Sequence, residues 1–275
     1  MAGDPSRQVP PARKRFGQHF LTDPSILSRI AAALDPKPEE TVIEIGPGRG
    51  ALTEHLIQRG ARVTAIEIDP KLVPLLRSRF AAEPRLTVVE ADVLETSLGE
   101  LGGAGYALVG NIPYNITTPI IFHALKPPLF SRAVFLVQRE VAERLAAAPG
   151  SENYGALTIN VTALATVEAV HRVPAGAFQP PPKVESSVIR LRVLESPVFP
   201  VADAARYARM VIDAFTMRRK QMRRVVRSLA PLDAVGADRV LGEAGIDPMA
   251  RPETLTPHEF ALLGASLGRL DATDR

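Results

Sequence analysis

The stretch VGNIPYNITTP, residues 109–119, places an amide side chain and an aromatic ring three residues apart, at Asn111 and Tyr114. An apolar pair precedes them, and Pro113 lacks the backbone N–H that a strand needs, so we expect a strand to end here. The two side chains then lie at the mouth of whatever cavity follows the strand. An amide that accepts hydrogen bonds and a flat ring that stacks are suited to holding a planar base that carries an amino group.

A second group of residues is typical of a nucleotide site. EIGPGRGALT places Gly46 and Gly48 between a strand-like run and a helical pattern, where glycine lets a ligand approach main-chain amides. Glu67 follows Gly46 by 21 residues, at the strand end where an acid accepts from ribose hydroxyls. Asp92 ends the third strand, where its carboxylate either accepts from a purine amino group or caps the next turn. This pattern indicates an adenosine-containing cofactor without separating a dinucleotide from S-adenosylmethionine.

The Asn111 stretch decides between these two cofactors. Hydride transfer has no use for Asn-Ile-Pro-Tyr at a strand end, whereas methyl transfer to the exocyclic amine of adenine does. The lone pair of that amine is delocalised into the ring, so two acceptors must hold its hydrogens and turn the lone pair toward the methyl group. We expect the Asn111 side-chain oxygen and the Ile112 carbonyl, kept free by Pro113, to be these acceptors, with Tyr114 stacked on the flipped base.

The elements that position these residues alternate between strand and helix. Strand-like runs are found at 41–46, 62–69, 86–92, 106–112 and 132–138, and helical patterns begin at Asp23 and cover 49–60 and 70–80. The alternation predicts an α/β fold, a Rossmann-like parallel sheet with helices on both faces. The β-branched segments 157–173 and 186–194 are expected to add late, antiparallel strands.

Three segments of different character follow from composition. Residues 1–12 are rich in proline and polar groups and are expected to form a disordered tail. Residues 13–196 carry the methyltransferase pattern. Residues 197–275 predict a small all-helical domain, with breaks at Pro231, Gly242, Gly245 and Pro252.

Composition excludes several classes of protein. The 275 residues contain no cysteine, which excludes disulfides, cysteine-ligated zinc and thiol catalysis. The five histidines have no paired spacing, so we expect no metal. No apolar run approaches the roughly 20 residues that span a bilayer, and the N-terminus has no signal-peptide pattern. We therefore expect a cytoplasmic protein without a membrane partner.

Positive charge is concentrated in two places although the net charge is only +3. Residues 1–20 include Arg13, Lys14 and Arg15, and residues 216–228 carry six positive charges and no acid. Two such patches favour a polyanionic partner, most simply nucleic acid, over an ordinary solvated face. In the second patch we expect one basic helix that contacts phosphates, made of Arg218, Arg219, Lys220, Arg223 and Arg224.

Several of these motifs together resemble a known family. RKRFGQHFL, VIEIGPGRGALT, AIEID, EAD, GNIPYN and FQPPPKVESSVIRL occur here in the order found in the rRNA adenine dimethyltransferases. The resemblance runs from about Arg13 to Leu194. The tail, with AFTMRRKQMRR and GIDPMARPETLTPHEFALL, is similar to the branch that acts on the small ribosomal subunit. The antibiotic-resistance branch, which modifies large-subunit rRNA, shares the core motifs and has a different tail.

The resemblance implies roles for the matching residues. Cofactor contacts are implied for Gln18, His19 and Leu21 over the methionine end, Gly46 and Gly48 along the methionine and ribose, Glu67 at the ribose, Asp92 at the adenine amine and Asn111 beside the methyl group. Ile68 and Val93 are further implied cofactor contacts. Catalytic contacts are implied for Asn111, Ile112, Pro113, Tyr114 and Phe178. Phe178 is expected to stack on the target base from an exposed, stiff loop, unless it is an ordinary core aromatic. His19 stands where the family often has asparagine.

The implied reaction uses S-adenosylmethionine to dimethylate two adjacent adenosines near the 3′ end of small-subunit (16S) rRNA. The implied partner is rRNA within an immature small ribosomal subunit, bound by a monomer through Arg13, Lys14, Arg15, Lys183 and the basic run. Three alternatives remain: a large-subunit resistance enzyme, a DNA adenine methyltransferase, and a non-catalytic RNA-binding assembly factor on the same scaffold.

Overall fold

The computed structural model describes residues 10–273, apart from the side chains of Lys14 and of residues 269–273. The strands are β1 (Phe20–Leu21), β2 (Thr41–Ile45), β3 (Arg62–Glu67), β4 (Leu86–Glu90), β5 (Ala107–Asn111), β6 (Arg132–Gln138), β7 (Ala165–Val173), β8 (Phe178–Gln179) and β9 (Ser186–Val193). The helices are α1 (Pro24–Leu34), α2 (Ala51–Gln58), α3 (Leu72–Arg79), α4 (Leu98–Gly102), α5 (Thr117–Ala124), α6 (Arg139–Leu145), α7 (Ala156–Thr162), α8 (Ala204–Thr216), α9 (Met222–Leu229), α10 (Ala234–Glu243) and α11 (Pro257–Thr273).

Seven strands form one sheet in the order β4-β3-β2-β5-β6-β9-β7, and β1 pairs with β8 in a separate antiparallel ribbon. The pairs from β4 to β6 are parallel, and β9 runs antiparallel to β6. This arrangement confirms the predicted α/β fold. The strand order reverses beside β2, because β3 lies on one side of it and β5 on the other. Such a switch point leaves a crevice beyond the carboxyl ends of the strands.

Local signals position the first helix as expected. Asp23 caps α1, since its Oδ1 atom accepts from the backbone N–H groups of Ser25 at 2.9 Å and Ile26 at 3.2 Å, and Pro24 occupies the first turn. Ile26, Leu27 and Ile30 then lie on one buried face of the helix. Their burial follows the helical spacing of apolar residues in the sequence.

The segment 157–173 is only partly a strand, so the prediction for its first half was wrong. Residues up to Thr162 form α7, and β7 begins at Ala165. Ile159 and Ala163, four residues apart, are both fully buried in an apolar cluster. A helix buries such a pair on one face, and this packing outweighs the β-propensity of the branched side chains.

The described chain divides into two compact units. The first contains residues 10–124, 128–142 and 168–193, and the second contains 125–127, 143–167 and 194–273. Residues 143–167 thus pack with the C-terminal residues, a grouping that the sequence did not predict. The limits proposed from the sequence for the three segments stay a prediction, and most of the tail proposed for 1–12 lies outside the described residues.

The C-terminal residues are helical as expected, but the basic run is interrupted. Helix α8 ends at Thr216 and α9 begins at Met222, so residues 217–221 separate them. The predicted single basic helix was therefore wrong. Met222 is fully buried and its N–H donates to the Ala250 carbonyl, so its backbone and side chain are both committed to packing at the start of α9.

Two further features concern residues 10–273 as a whole. No helix among them is long and apolar enough to cross a membrane. The described part of the chain also brings together no group of three or more histidine, cysteine or acidic side chains able to hold a metal ion.

Candidate active site

The glycine turn after β2 lies at the crevice. Its amides are used within the protein, since the Gly46 N–H donates to the Ile66 carbonyl at 3.0 Å and the Gly48 N–H donates to Glu67 at 3.1 Å. Gly46 and Gly48 have φ values of 65° and 60°, in the left-handed region that disfavours any residue with a Cβ. A Cβ on Gly48 would also lie 3.0 Å from Cδ1 of Phe20. The backbone at both glycines therefore disfavours a larger residue, a Cβ at Gly48 would also crowd Phe20, and the missing side chains leave space beside the main chain for a ligand.

Glu67, at the end of β3, is held against this turn. Its side chain is 4% exposed, and its two oxygens accept from Gly48 N at 3.1 Å and from Asp69 N at 2.9 Å. Burial raises the pKa of Glu67, although the hydrogen bonds from Asp69 and Gly48 act in the opposite direction. A carboxylate has about four acceptor positions in all, so the backbone hydrogen bonds to Glu67 leave acceptor capacity for a ribose hydroxyl.

Asp92, after β4, carries out the capping role that the sequence left open. Its Oδ1 atom accepts from Leu94 N at 2.9 Å at the start of a 3-10 turn, residues Val93–Glu95. No side chain or amide among the described residues donates to Oδ2. The cap therefore fixes the carboxylate at the crevice while one oxygen stays available for an amino group.

Asn111, the last residue of β5, has a fixed orientation. Its Nδ2 atom donates to the His19 carbonyl at 2.7 Å. Because a carbonyl oxygen only accepts, this contact identifies the amide nitrogen and turns Oδ1 the other way. No described residue donates to Oδ1, so the side-chain oxygen is free to accept from a substrate.

The next residue offers a second acceptor. The Ile112 N–H donates to the Leu136 carbonyl at 3.1 Å, which fixes the backbone at the end of β5. Pro113 follows and has no N–H of its own. Within the described residues no donor reaches the Ile112 carbonyl oxygen. Asn111 and Ile112 thus present two adjacent acceptors on a rigid strand end.

Tyr114 is held between two side chains. Its hydroxyl shares a hydrogen bond with Oγ of Ser186, and its ring stacks on His19 with centroids 5.8 Å apart and planes 22° apart. Burial raises the pKa of Tyr114, and the Ser186 bond acts against this shift. His19 donates from Nδ1 to the Pro180 carbonyl at 2.8 Å. The two rings form a flat wall next to Asn111.

These residues surround one cavity of about 270 Å³. The predicted cofactor and catalytic residues that line it are Gln18, His19, Gly46, Gly48, Glu67, Ile68, Asp92, Val93, Asn111, Ile112, Pro113 and Tyr114. Its lining fits S-adenosylmethionine, because two strand-end carboxylates, a glycine turn without side chains and an apolar wall converge on it.

Two predicted site residues do not line this cavity. Leu21 pairs with Phe178 in the β1–β8 ribbon, and both belong to the apolar core, 6% and 4% exposed. The expected exposed position of Phe178 was therefore wrong, and the core alternative describes what the structure contains. Burial of two large apolar side chains against each other outweighs the stiffening effect of the neighbouring prolines. A stacking role for Phe178 stays a prediction.

The basic residues near the N-terminus have different environments. Arg13 forms an ion pair with Asp69 at 2.9 Å, which directs its side chain into the protein. The Arg15 guanidinium lies over the Phe16 ring, 4.5 Å from the centroid, and is exposed. Lys183 is exposed, and the side chain of Lys14 lies outside those described. Their predicted contacts with RNA are not tested by this geometry, but Arg13 is committed to an internal partner.

The second basic cluster also contains both arginines that pair with acids and cations that do not. Arg218 pairs with Glu253 at 2.6 Å and Arg223 pairs with Asp238 at 2.6 Å. Within the described residues, no acid lies within ion-pair distance of the other three predicted members, Arg219, Lys220 and Arg224. A cavity of about 650 Å³ is lined by Arg218, Arg219, Lys220 and Arg251 together with two acids. Three of the five predicted members, Arg219, Lys220 and Arg224, are therefore exposed without an ion-pair partner among the described residues.

Sequence reasoning missed two buried acids beside the site. Asp69 is 1% exposed and accepts from Gln18 at 3.0 Å as well as from Arg13. Glu44 is 2% exposed, and Thr53 donates to it at 2.6 Å. The signal for Asp69 was its place at the end of AIEID, next to Glu67. Glu44 stands within EIGPGRG, but only its burial distinguishes it from a surface acid.

Comparison with known proteins gives a consistent result. Residues 10–261 match the family model described as ribosomal RNA adenine dimethylase. A relative from Hahella chejuensis, named ribosomal RNA small subunit methyltransferase A, is 43% identical over 252 residues, 90% of each chain. A relative of the same name from Geobacter sulfurreducens is 42% identical over 275 residues, covering 97% of this chain and 98% of its own.

Two solved structures extend the comparison to the fold. A dimethyladenosine transferase from Plasmodium falciparum superposes with a TM-score of 0.78 at 28% identity, covering 91% of this chain and 98% of its own. The 23S rRNA methyltransferase ErmE superposes with a TM-score of 0.68 at 32% identity, covering 90% of this chain and 99% of its own. With the family model matched over nearly the whole described chain, this protein belongs to the ribosomal RNA adenine dimethylase family.

Proposed function

We propose that this chain dimethylates the exocyclic amino groups of two adjacent adenosines near the 3′ end of small-subunit rRNA, with S-adenosylmethionine as methyl donor. The observation that carries the proposal is the pair of free acceptors at Asn111 and Ile112, on the wall of the cavity that also contains Glu67 and Asp92. An amine acceptor site and a nucleoside site in one cavity are what adenine methylation needs.

The residues of the chain have separate tasks in this reaction. S-adenosylmethionine, when bound, supplies a methyl group activated by a positively charged sulfur. Glu67 and the free oxygen of Asp92 would hold its ribose and adenine. Asn111 Oδ1 and the Ile112 carbonyl accept the two amine hydrogens, so the nitrogen lone pair points out of the base plane. As the new N–C bond forms and the C–S bond breaks, positive charge develops on the nitrogen, and both acceptors stabilise it.

Tyr114 positions the base rather than the amine. The hydrogen bond to Ser186 and the stack on His19 fix the orientation of the Tyr114 ring, so the ring offers a fixed face to the base. Stacking of a base on such a ring contributes about 1–3 kcal/mol.

After each transfer the nitrogen loses a proton to water. The second transfer then starts from an amine with one hydrogen, so only one of the two acceptors is used.

The small subunit is favoured as substrate by the similarity of this chain to its relatives. Relatives named for the small subunit are 43% and 42% identical over at least nine-tenths of their length, against 32% for the large-subunit enzyme of known structure. The unpaired cations Arg219, Lys220 and Arg224 would contact rRNA phosphates. The finer partner we propose is rRNA within an immature small ribosomal subunit, bound by a monomeric, cytoplasmic enzyme.

A methylation assay with three substrates tests the proposal. Immature small subunits, large-subunit RNA and DNA are each incubated with the protein and labelled S-adenosylmethionine, and the products are mapped by mass spectrometry. We expect dimethyladenosine at two adjacent positions in small-subunit rRNA alone. Transfer to large-subunit RNA or to DNA instead would replace the proposed substrate, and no transfer to any of them would favour the assembly-factor alternative.

Cofactor binding is tested separately by Glu67→Gln. The substitution removes the charge that accepts from ribose hydroxyls and should weaken S-adenosylmethionine binding by about 1–3 kcal/mol, measured by calorimetry. The matched control is Glu90→Gln, because Glu90 lies beside Glu67 in the register of β3 and β4 but is exposed and outside the cavity lining. Because Glu67 also accepts two backbone hydrogen bonds, the thermal midpoint of both variants must be measured. Unchanged affinity in folded Glu67→Gln would refute the cofactor assignment.

A further inference from the structure

The segment that precedes β1 forms one wall of the proposed cofactor cavity. We refer to residues 13–20 as the strap. Its residues from Arg15 to Phe20 line the cavity. The strap has little regular structure of its own, a 3-10 turn at Lys14–Phe16 and the first residue of β1. Before the β1–β8 pairing at Phe20, its position therefore depends on side-chain contacts with the rest of the unit.

Asp69 supplies the central contact. It lies two residues after Glu67, and its carboxylate accepts from Arg13 Nη1 at 2.9 Å, from Gln18 Nε2 at 3.0 Å and from Lys71 N at 3.1 Å. Gln18 in turn accepts from Arg13 N at 2.8 Å. The two ends of the strap are thus joined to one buried carboxylate and to each other.

Asp69 and the strap contact both the cofactor side and the substrate side of the proposed site. The Asp69 N–H donates to Oε1 of Glu67 at 2.9 Å, on the cofactor side. The carbonyl of the strap residue His19 accepts from Nδ2 of Asn111 at 2.7 Å, on the substrate side. A continuous series of contacts therefore runs from Glu67 through Asp69 and the strap to Asn111.

We propose that Asp69 is a positioning residue. Its carboxylate fixes the strap, and the strap in turn keeps both the cavity wall that it forms and the Asn111 amide in place. The inference rests on the proposed function, because it assumes that this cavity binds S-adenosylmethionine. It also gives Arg13 an internal role in place of the RNA contact predicted from its charge.

The electrostatics of Asp69 support an anchoring role. Its side chain is 1% exposed, and Arg13 supplies the cation in contact with it. Burial acts to raise the pKa of Asp69, but the hydrogen bonds from Lys71, Gln18 and Arg13 outweigh it and lower that pKa. The carboxylate is therefore charged at neutral pH. Removing Arg13 would leave a buried charge without its counterion, a state that proteins tolerate poorly.

Calorimetric titration with S-adenosylmethionine tests the anchor. Arg13→Ala, Gln18→Ala and Asp69→Asn should each raise the Kd about tenfold, the scale of one hydrogen bond to a charged group. The control is Arg85→Ala, which removes an arginine–carboxylate pair of the same length, 2.9 Å to Glu83, on the same unit away from the cavity. It should change the Kd less than about twofold, since no cavity contact is lost. Of the two strap variants, Arg13→Ala is the decisive one. Asp69→Asn can disturb the turn through Lys71, and Gln18 itself lines the cavity, whereas Arg13→Ala leaves Asp69 and the cavity lining in place.

A double-mutant cycle separates anchoring from general stability. If Arg13 acts through Asp69, Arg13→Ala should raise the Kd less than about threefold when Asp69 is already asparagine. Arg13→Lys, which keeps the charge, should recover part of the affinity, and turnover at saturating cofactor should fall in the strap variants because Asn111 loses its fixed partner.

The outcomes of these titrations are distinct. Additive effects of the Arg13 and Asp69 substitutions would overturn the anchor. If Glu67→Gln weakens binding while the strap variants do not, the anchor fails and the proposed function stands. If neither set weakens binding, the cavity itself is not the cofactor site, and the anchor inference falls with it.

Discussion

The orientation of Asn111 gives the sharpest test of the proposed chemistry. Its Nδ2 atom is fixed to the His19 carbonyl at 2.7 Å, so Oδ1 is held in place before any substrate binds. Asn111→Ala removes this preorganised acceptor. Losing one such contact lowers the rate of the chemical step by about 10²–10³-fold, equivalent to about 3–4 kcal/mol of transition-state stabilisation.

Asn111→Asp is the matched variant, because it has the same shape and keeps an acceptor. Its second carboxylate oxygen would face the His19 carbonyl at the 2.7 Å now spanned by a hydrogen bond. Two oxygens without a hydrogen between them repel, so the ionised aspartate should lose the wild-type orientation. A protonated aspartate can donate to His19. We therefore expect Asn111→Asp to be impaired at neutral pH and to gain activity, relative to wild type, as the pH is lowered.

The assay is single-turnover methylation of immature small subunits at saturating S-adenosylmethionine, with monomethyl- and dimethyladenosine separated by mass spectrometry. RNA affinity should be nearly unchanged in both variants, because phosphate contacts dominate it. The two transfers should respond differently, since the second uses one acceptor and the first uses two. Asn111→Ala that forms the dimethyl product at a near wild-type rate would show that the acceptor role is wrong.

Three further predictions rest on contacts described above. Tyr114→Phe should be mild in the same assay because the ring remains, whereas Tyr114→Ala should be severe; equal losses would contradict stacking. Burial raises the pKa of Glu44 to about 7 in the folded protein, against 4.5 for an ordinary glutamate. Between these two pH values the folded protein keeps a proton on Glu44 that the unfolded chain has released. About 3 kcal/mol of the free energy of unfolding should therefore be lost as the pH rises from 4.5 to 7. Glu44→Gln should flatten this pH dependence of the denaturation midpoint in urea, and an unchanged slope would exclude Glu44 as its source. Arg219, Lys220 and Arg224 should be neutralised together. The slope of log binding constant against log salt concentration should become shallower by about 0.7–0.9 units per lost phosphate contact. Neutralising the paired Arg223 should change this slope less.

Much of the site was predictable because the sheet brings strand ends together. Glu67, Asp92 and Asn111 each lie at or just after the end of a strand in the predicted parallel series, and parallel strands place such residues at one edge. The glycine turn was equally readable, since the left-handed backbone at Gly46 and Gly48 favours glycine. These features depend on local pattern and on one general rule of topology.

The basic run shows where local pattern fails. Its composition predicted one helix, but the chain breaks between α8 and α9, where Met222 is buried. Charge counting also could not show that Arg218 and Arg223 find acids at Glu253 and Asp238. Each of those acids stands 15 or more residues away in the chain, so only folding decides which cations remain unpaired.

The sequence by itself determined the α/β fold, the family and the identity of most cavity residues, because alternation, glycine spacing and strand-end position are properties of short segments. Tertiary structure alone decided that Phe178 and Leu21 pack in the core and that Arg13 and Gln18 bind Asp69. It also decided that Asn111 is oriented by His19. Those last contacts join residues 56, 51 and 92 positions apart. Such pairs form only when the whole unit packs, and burial and hydrogen-bond geometry then select among partners that local sequence leaves equivalent.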